Sequence, residues 1–108
     1  MALPAGWDSY GADPIDSRAI ETSTRFLRSL ESRYGDIFGE RLKPSIAAPL
    51  PSGGVQLEWD GERGRLEIEI WSAGEINLLV VDRERTCVST VDVTIADAMK
   101  AVARILMA

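Results

Sequence analysis

The chain has 108 residues, enough to close one hydrophobic core and too few for a second core that folds by itself. Its 45% hydrophobic and 27% charged residues sit at the averages of globular proteins, which speaks against a disordered or fibrous class. The 12 basic and 17 acidic residues leave a net charge of -5, a field that opposes approach to nucleic acid or to an anionic membrane.

Residues 1–15 read as a loop with aromatic content: Pro4, Gly6 and Gly11 punctuate it, and Trp7 and Tyr10 supply apolar surface to bury. The segment has neither the charged start nor the apolar run of a secretion signal, and no stretch of the sequence approaches the roughly 20 apolar residues of a membrane span. A cytoplasmic protein is the expectation. A first helix is predicted over 16–35, with Asp16 as its N-cap and Ile15 and Ile20 placed as a hydrophobic staple. Its apolar stripe runs through Ile20, Leu27, Leu30 and Tyr34, broken near Ser23 or Thr24 and widened by Phe26. Gly35 is its expected stop, and residues 36–42 form a further turn or loop ahead of Pro44.

From there the period changes to two, and an antiparallel sheet is predicted over 45–94. The prolines at 44, 49 and 51 confine any strand at 45–50 to an edge, because proline donates no ladder hydrogen bond. In GVQLEWDGERGRLEIEIW, residues 54–71, the apolar Val55, Leu57 and Trp59 alternate with Gln56, Glu58 and Asp60, and Leu66, Ile68 and Ile70 alternate with Glu67, Glu69 and Trp71. A hairpin pairing Asp60 with Arg65 sets Trp59 against Leu66, Leu57 against Ile68 and Val55 against Ile70 on one face. It sets Glu58 against Glu67 and Gln56 against Glu69 on the other. The run EINLLVVD, residues 75–82, is apolar on both faces, as a central or doubly covered strand would be. Residues 86–93, half hydroxyl-bearing, suit the opposite edge. Cys87, the single cysteine, permits no internal disulfide and is expected to be a buried thiol; with no histidine in the chain it lacks the usual partner base for thiolate chemistry.

A second helix over 95–107 carries the cleanest stripe, Ile95, Ala98, Met99, Val102, Ile105 and Leu106, behind Thr94 as N-cap with Asp97 three residues on. The whole is therefore a single α+β domain of two layers: an N-terminal helix, an antiparallel meander of four to five strands and a C-terminal helix, both helices on one sheet face.

The other face holds the candidate site. Its acids, Glu58, Glu67 and Glu69, can be a solvated face that merely keeps the protein soluble. With Trp71, Leu79 and Val81 alongside they can instead form a docking surface for a protein with a basic patch. Two further readings are that the aromatic loop or another segment covers this face, or that the carboxylates hold a hard cation. No zinc ligand set, calcium loop, phosphate-cradling glycine loop or cofactor motif is present in the sequence, and Gly53 and Gly54 precede a strand rather than a helix. Arg18, Arg25 and Arg28 with Glu21 read as the solvated side of the first helix.

The segments GWDSYGADP at 6–14, SGGVQLEW at 52–59 and LEIEI at 66–70 together resemble a group of small uncharacterised bacterial proteins. That resemblance implies a bacterial or phage-associated cytoplasmic protein and brings no catalytic residues with it. The expected function is non-catalytic: an antitoxin-like, immunity or inhibitor protein masking a basic surface, contacting no nucleic acid directly and no membrane, with no cofactor. One alternative is a homo-oligomeric accessory protein, since the open face or an edge strand allows a homodimer. Another is a small enzyme or ligand-binding domain with Glu58, Glu67 or Asp8 as acid or base, which requires a concavity that raises one carboxyl pKa.

Overall fold

A computed structural model describes residues 16–51 and 53–107. The expected loop at 1–15, with Trp7, Asp8, Tyr10 and the staple residue Ile15, lies outside them. The described chain runs α1 (Ser17–Phe38), a 3-10 turn (Gly39–Leu42), β1 (Ile46–Pro49), β2 (Val55–Gly61), β3 (Gly64–Ile70), β4 (Ile76–Asp82), β5 (Cys87–Thr90) and α2 (Ile95–Leu106). The strands form one antiparallel meander in the order β1-β2-β3-β4-β5. Both helices pack on the same side of it, so the two-layer α+β architecture is the one the residue pattern predicts.

The caps form as expected. Asp16 accepts a hydrogen bond from the Arg18 amide at 2.7 Å, and Thr94 Oγ1 accepts from the Asp97 amide at 3.1 Å. Each satisfies a backbone donor that the first helical turn leaves without an internal partner. Helix α1 nevertheless departs from expectation at its far end. Gly35 lies inside the helix, and the stop is Gly39, at φ 55°. Continuing past Gly35 costs about 1 kcal/mol of glycine propensity, which the packing of Tyr34 and Phe38 against the core outweighs.

The buried line of α1 is Ala19, Ser23, Phe26 and Leu30; Ile20, Leu27 and Tyr34 are half-buried at its side. Ser23 therefore belongs to the core rather than interrupting it. Its hydroxyl donates to Ala19 O at 2.7 Å, which supplies the partner a buried polar group requires.

The core joins these positions to Val55, Leu57 and Trp59 of β2, Leu66, Ile68 and Ile70 of β3, Ile76 and Leu78 of β4, and Ala98, Val102, Ile105 and Leu106 of α2. Trp59 is 1% exposed, meets Phe26 edge to face at 6.1 Å between centroids, and donates from Nε1 to Leu42 O at 2.9 Å. The indole thus fills the layer between sheet and α1 while tying down the 3-10 turn with its one polar atom. Arg41, in that turn, donates to Leu106 O and so caps the last carbonyls of α2. Gly61 is needed where β2 passes under α2: a Cβ there would collide with the backbone carbonyl of Ile105.

The edge strand at 45–50 exists as β1, and Pro49 sits where a proline can. Leu50 N bonds to Gly54 O, so by antiparallel alternation Ala48 and Ile46 face the ladder, while Pro49 and Ala47 face the open edge. The last strand is shorter than expected, Cys87–Thr90, and exposed throughout. Cys87 is consequently an exposed thiol and not a buried one. Neither helix reaches far enough across the sheet to cover β5, so residue type did not determine burial here.

Candidate functional site

The register of the β2–β3 hairpin fixes what the outer face carries. Asp60 pairs with Arg65, Trp59 with Leu66, Glu58 with Glu67, Leu57 with Ile68, Gln56 with Glu69 and Val55 with Ile70, every pair as the alternation predicts. Burial follows the same parity: Val55, Leu57 and Trp59 are buried and Gln56 and Glu58 half-buried on β2, while Leu66, Ile68 and Ile70 are buried and Glu67 and Glu69 half-buried on β3.

The neighbouring strands extend these rows. Ile46 of β1 pairs with Glu58, and Leu79 of β4 pairs with Glu67, itself followed by Ser89 of β5. One row across the outer face is therefore Ile46, Glu58, Glu67, Leu79 and Ser89. The adjacent rows hold Ala48, Gln56, Glu69 and Asn77 on one side and Asp60, Arg65, Val81 and Cys87 on the other.

Two carboxylates thus stand directly opposite each other at the middle of the sheet, flanked by apolar side chains. Burial first, and then the charge of Glu58, push the Glu67 carboxyl above the ordinary carboxylate range. Arg65 Nε, 3.4 Å from Glu67 Oε1, opposes that shift in part. Gln56 Nε2 donates to Glu58 Oε1 at 2.8 Å and fixes that side chain along its own strand. At the rim, Ser45 Oγ lies 3.2 Å from Asp60 Oδ2.

The structure brings Glu58, Glu67, Glu69 and Leu79 onto one face. Trp71 lies two residues beyond Glu69, just past the end of β3. It follows the last residue of β3 and opens the turn to β4, with its amide donating to Glu75 O at 2.9 Å and its carbonyl accepting from Gly74 N at 2.9 Å. The ring is half-buried, and its Nε1 is buried with no acceptor among the described residues. Trp71 therefore marks the end of the face and does not project from its centre.

Two members of the surface, Arg65 and Ile46, escaped the sequence reading. Arg65 was legible from the same parity that gives Glu67, and it places a cation in the adjacent row, beside Glu67. Ile46, 47% exposed and opposite Glu58, required the register of β1, which the proline-rich segment does not reveal. Val81, opposite Arg65, stands on this face beside Leu79, as strand parity predicts. The apolar outer side of β4 has no covering layer among the described residues, and Leu79 and Val81 remain half-exposed.

Chemically, the arrangement is a shallow surface with a negative centre and apolar margins. The concavities beside α1 lie elsewhere: one is lined by Glu21, Arg25 and Arg28, another by Leu27, Glu31, Asp36 and Lys43, and neither includes Glu58, Glu67 or Glu69. Among the described residues no three acidic or thiol side chains gather as a metal ion would need. Among the described residues no helix is long and apolar enough to cross a membrane. No protein-family model matches the chain, and no curated protein or solved structure proves similar to it.

Proposed function

We propose that this protein is a non-catalytic binding module, of the antitoxin-like, immunity or inhibitor kind, whose outer sheet face docks on a basic surface of another protein and masks it. The observation that carries this reading is the Glu58–Glu67 pair, two facing carboxylates at the sheet centre, half-buried between Ile46 and Leu79. Like charges placed opposite each other on a sheet are unfavourable by some tenths of a kcal/mol. Partial burial adds to that cost, as the raised Glu67 carboxyl records.

A lysine or arginine from a partner offsets the like-charge repulsion and pairs the half-buried carboxylates, and the apolar margin of Ile46, Leu79 and Val81 supplies area from which water is excluded. Glu69 extends the acidic patch, and Trp71 at the end of the face offers an aromatic rim. A cytoplasmic location agrees with the free, exposed thiol of Cys87.

The test is affinity capture from lysate of the source organism with the wild-type chain and the Glu67→Lys/Glu69→Lys variant in parallel. A specific partner retained by the first and lost by the second, with far-UV circular dichroism unchanged, is the expected outcome. Equal capture by both chains overturns the assignment of this face, and no specific capture by the wild type overturns the function itself.

A further inference from the structure

Among the described residues a single buried polar side-chain atom meets no hydrogen-bond partner, Nε1 of Trp71. The backbone of this residue is satisfied: its amide donates to Glu75 O and its carbonyl accepts from Gly74 N. The indole of Trp59, equally hidden from water, donates to Leu42 O at 2.9 Å. Native structures seldom leave a buried donor unpaired, because its lost hydration is not repaid. The residues outside the described chain that can supply an acceptor are 1–15, Ser52 and Ala108.

Their points of attachment decide between them. Ala108 follows α2, whose last turn packs at the Gly61 end of β2, where Arg41 donates to Leu106 O and a Cβ on Gly61 would strike the Ile105 carbonyl. Trp71 is at the opposite end of the hairpin, directly against Gly54: a Cβ on that glycine would lie 3.3 Å from Trp71 Cα. Residues 1–15 join the described fold at this same place, since Asp16 N donates to Gly53 O at 2.7 Å. An extended chain covers about 3.3–3.6 Å per residue, so Asp13, three residues before Asp16, has a reach of about 10 Å from the turn that touches Trp71. Pro14 favours that extension, because the residue before a proline is turned away from the helical region.

We propose that residues 1–15 fold back on the Trp71 end of the sheet, where the Asp13 carboxylate accepts from Trp71 Nε1 and the Tyr10 ring packs on the open flank of the indole. A carboxylate is the stronger kind of acceptor for a buried N–H. Trp71 is only half-buried, so its ring retains apolar area for an aromatic neighbour. The centre of the outer face stays clear: Glu67 lies four residues back along β3, with Glu58 and Leu79 beside it. The inference does not rest on the partner proposed for that centre, and it is tested in the isolated chain.

Proton–nitrogen correlation spectra of the full chain show an indole N–H signal for each of the 3 tryptophans, which Trp7→Phe and Trp71→Phe assign. Nuclear Overhauser contacts are expected between the Tyr10 ring and the Trp71 indole. Asp13→Ala is expected to shift the Trp71 indole signal and to speed its hydrogen exchange about tenfold, with the Trp59 signal, bonded inside the core, left in place as proof of folding. Absence of any contact between residues 1–15 and Trp71 in the wild type overturns the proposal. So does a Trp71 signal unmoved by Asp13→Ala, or one that loses its protection in Ser52→Ala instead. Should Asp13→Ala disturb the Trp59 signal, the wild-type contacts decide.

Discussion

The two faces of the β2–β3 hairpin share a backbone, a turn and a register, yet obey different physics. The inner triads, Val55, Leu57 and Trp59 against Leu66, Ile68 and Ile70, are covered by both helices, and each such side chain contributes about 1.5–3 kcal/mol by leaving water. The outer row places Glu58 against Glu67 with no covering layer among the described residues, and its interactions are worth tenths of a kcal/mol. Stability therefore resides on one side of the hairpin. The other side is free to carry charge that the fold does not need.

The sharpest way to break this comparison is at Trp59. Trp59→Ala is expected to cost about 4 kcal/mol, because it empties the space against Phe26 and leaves the Leu42 carbonyl without its donor; urea denaturation followed by circular dichroism measures it. Trp59→Phe separates the two effects, keeping most of the volume and losing only the hydrogen bond, for about 1–2 kcal/mol.

The same residue type on opposite faces gives the next test. Leu57→Ala, at a position 2% exposed, is expected to lose about 3 kcal/mol, and Leu79→Ala, half-exposed on the outer face, about 1 kcal/mol. Equal losses would mean that the outer face is covered as thoroughly as the inner one.

The smallest effect is the most specific. Glu67 holds its proton more tightly in the folded chain than an unfolded glutamate does. For a carboxyl raised in this way the folded state binds the extra proton, so stability falls as pH rises from the unfolded pKa through the folded one. The penalty is complete above that window and absent below it. Glu67→Gln is expected to stabilise the protein by some tenths of a kcal/mol at neutral pH, and the advantage should vanish on acidification below the ordinary glutamate range. Paired denaturation curves of wild type and variant across pH measure it. A variant less stable than the wild type at neutral pH, with the difference again vanishing toward acid, would show that the Arg65 ion pair outweighs burial and the Glu58 charge.

How much of this was legible in the residues differs from element to element. The hairpin register, the caps Asp16 and Thr94 and the stripe of α2 all follow from local rules of period two, period 3.6 and side-chain capping. The candidate face was legible as far as Glu58, Glu67, Glu69 and Leu79 because a single parity places them. Arg65 was equally legible and belongs with them. What could not be read was the far end of α1, where Gly35 carries the local signature of a helix stop. The helix continues because Tyr34 and Phe38 have core to pack against, a fact about other segments of the chain.

Cys87 makes the same point from the opposite direction. Its residue type favours burial, and only the positions of the helices decide that β5 has neither face covered. The sequence by itself determined which side chains share a face, since that depends on backbone period and a short turn. The tertiary structure alone decided which faces are covered and which edge is left open, because burial is a property of whatever packs alongside and no residue carries that information about its distant neighbours.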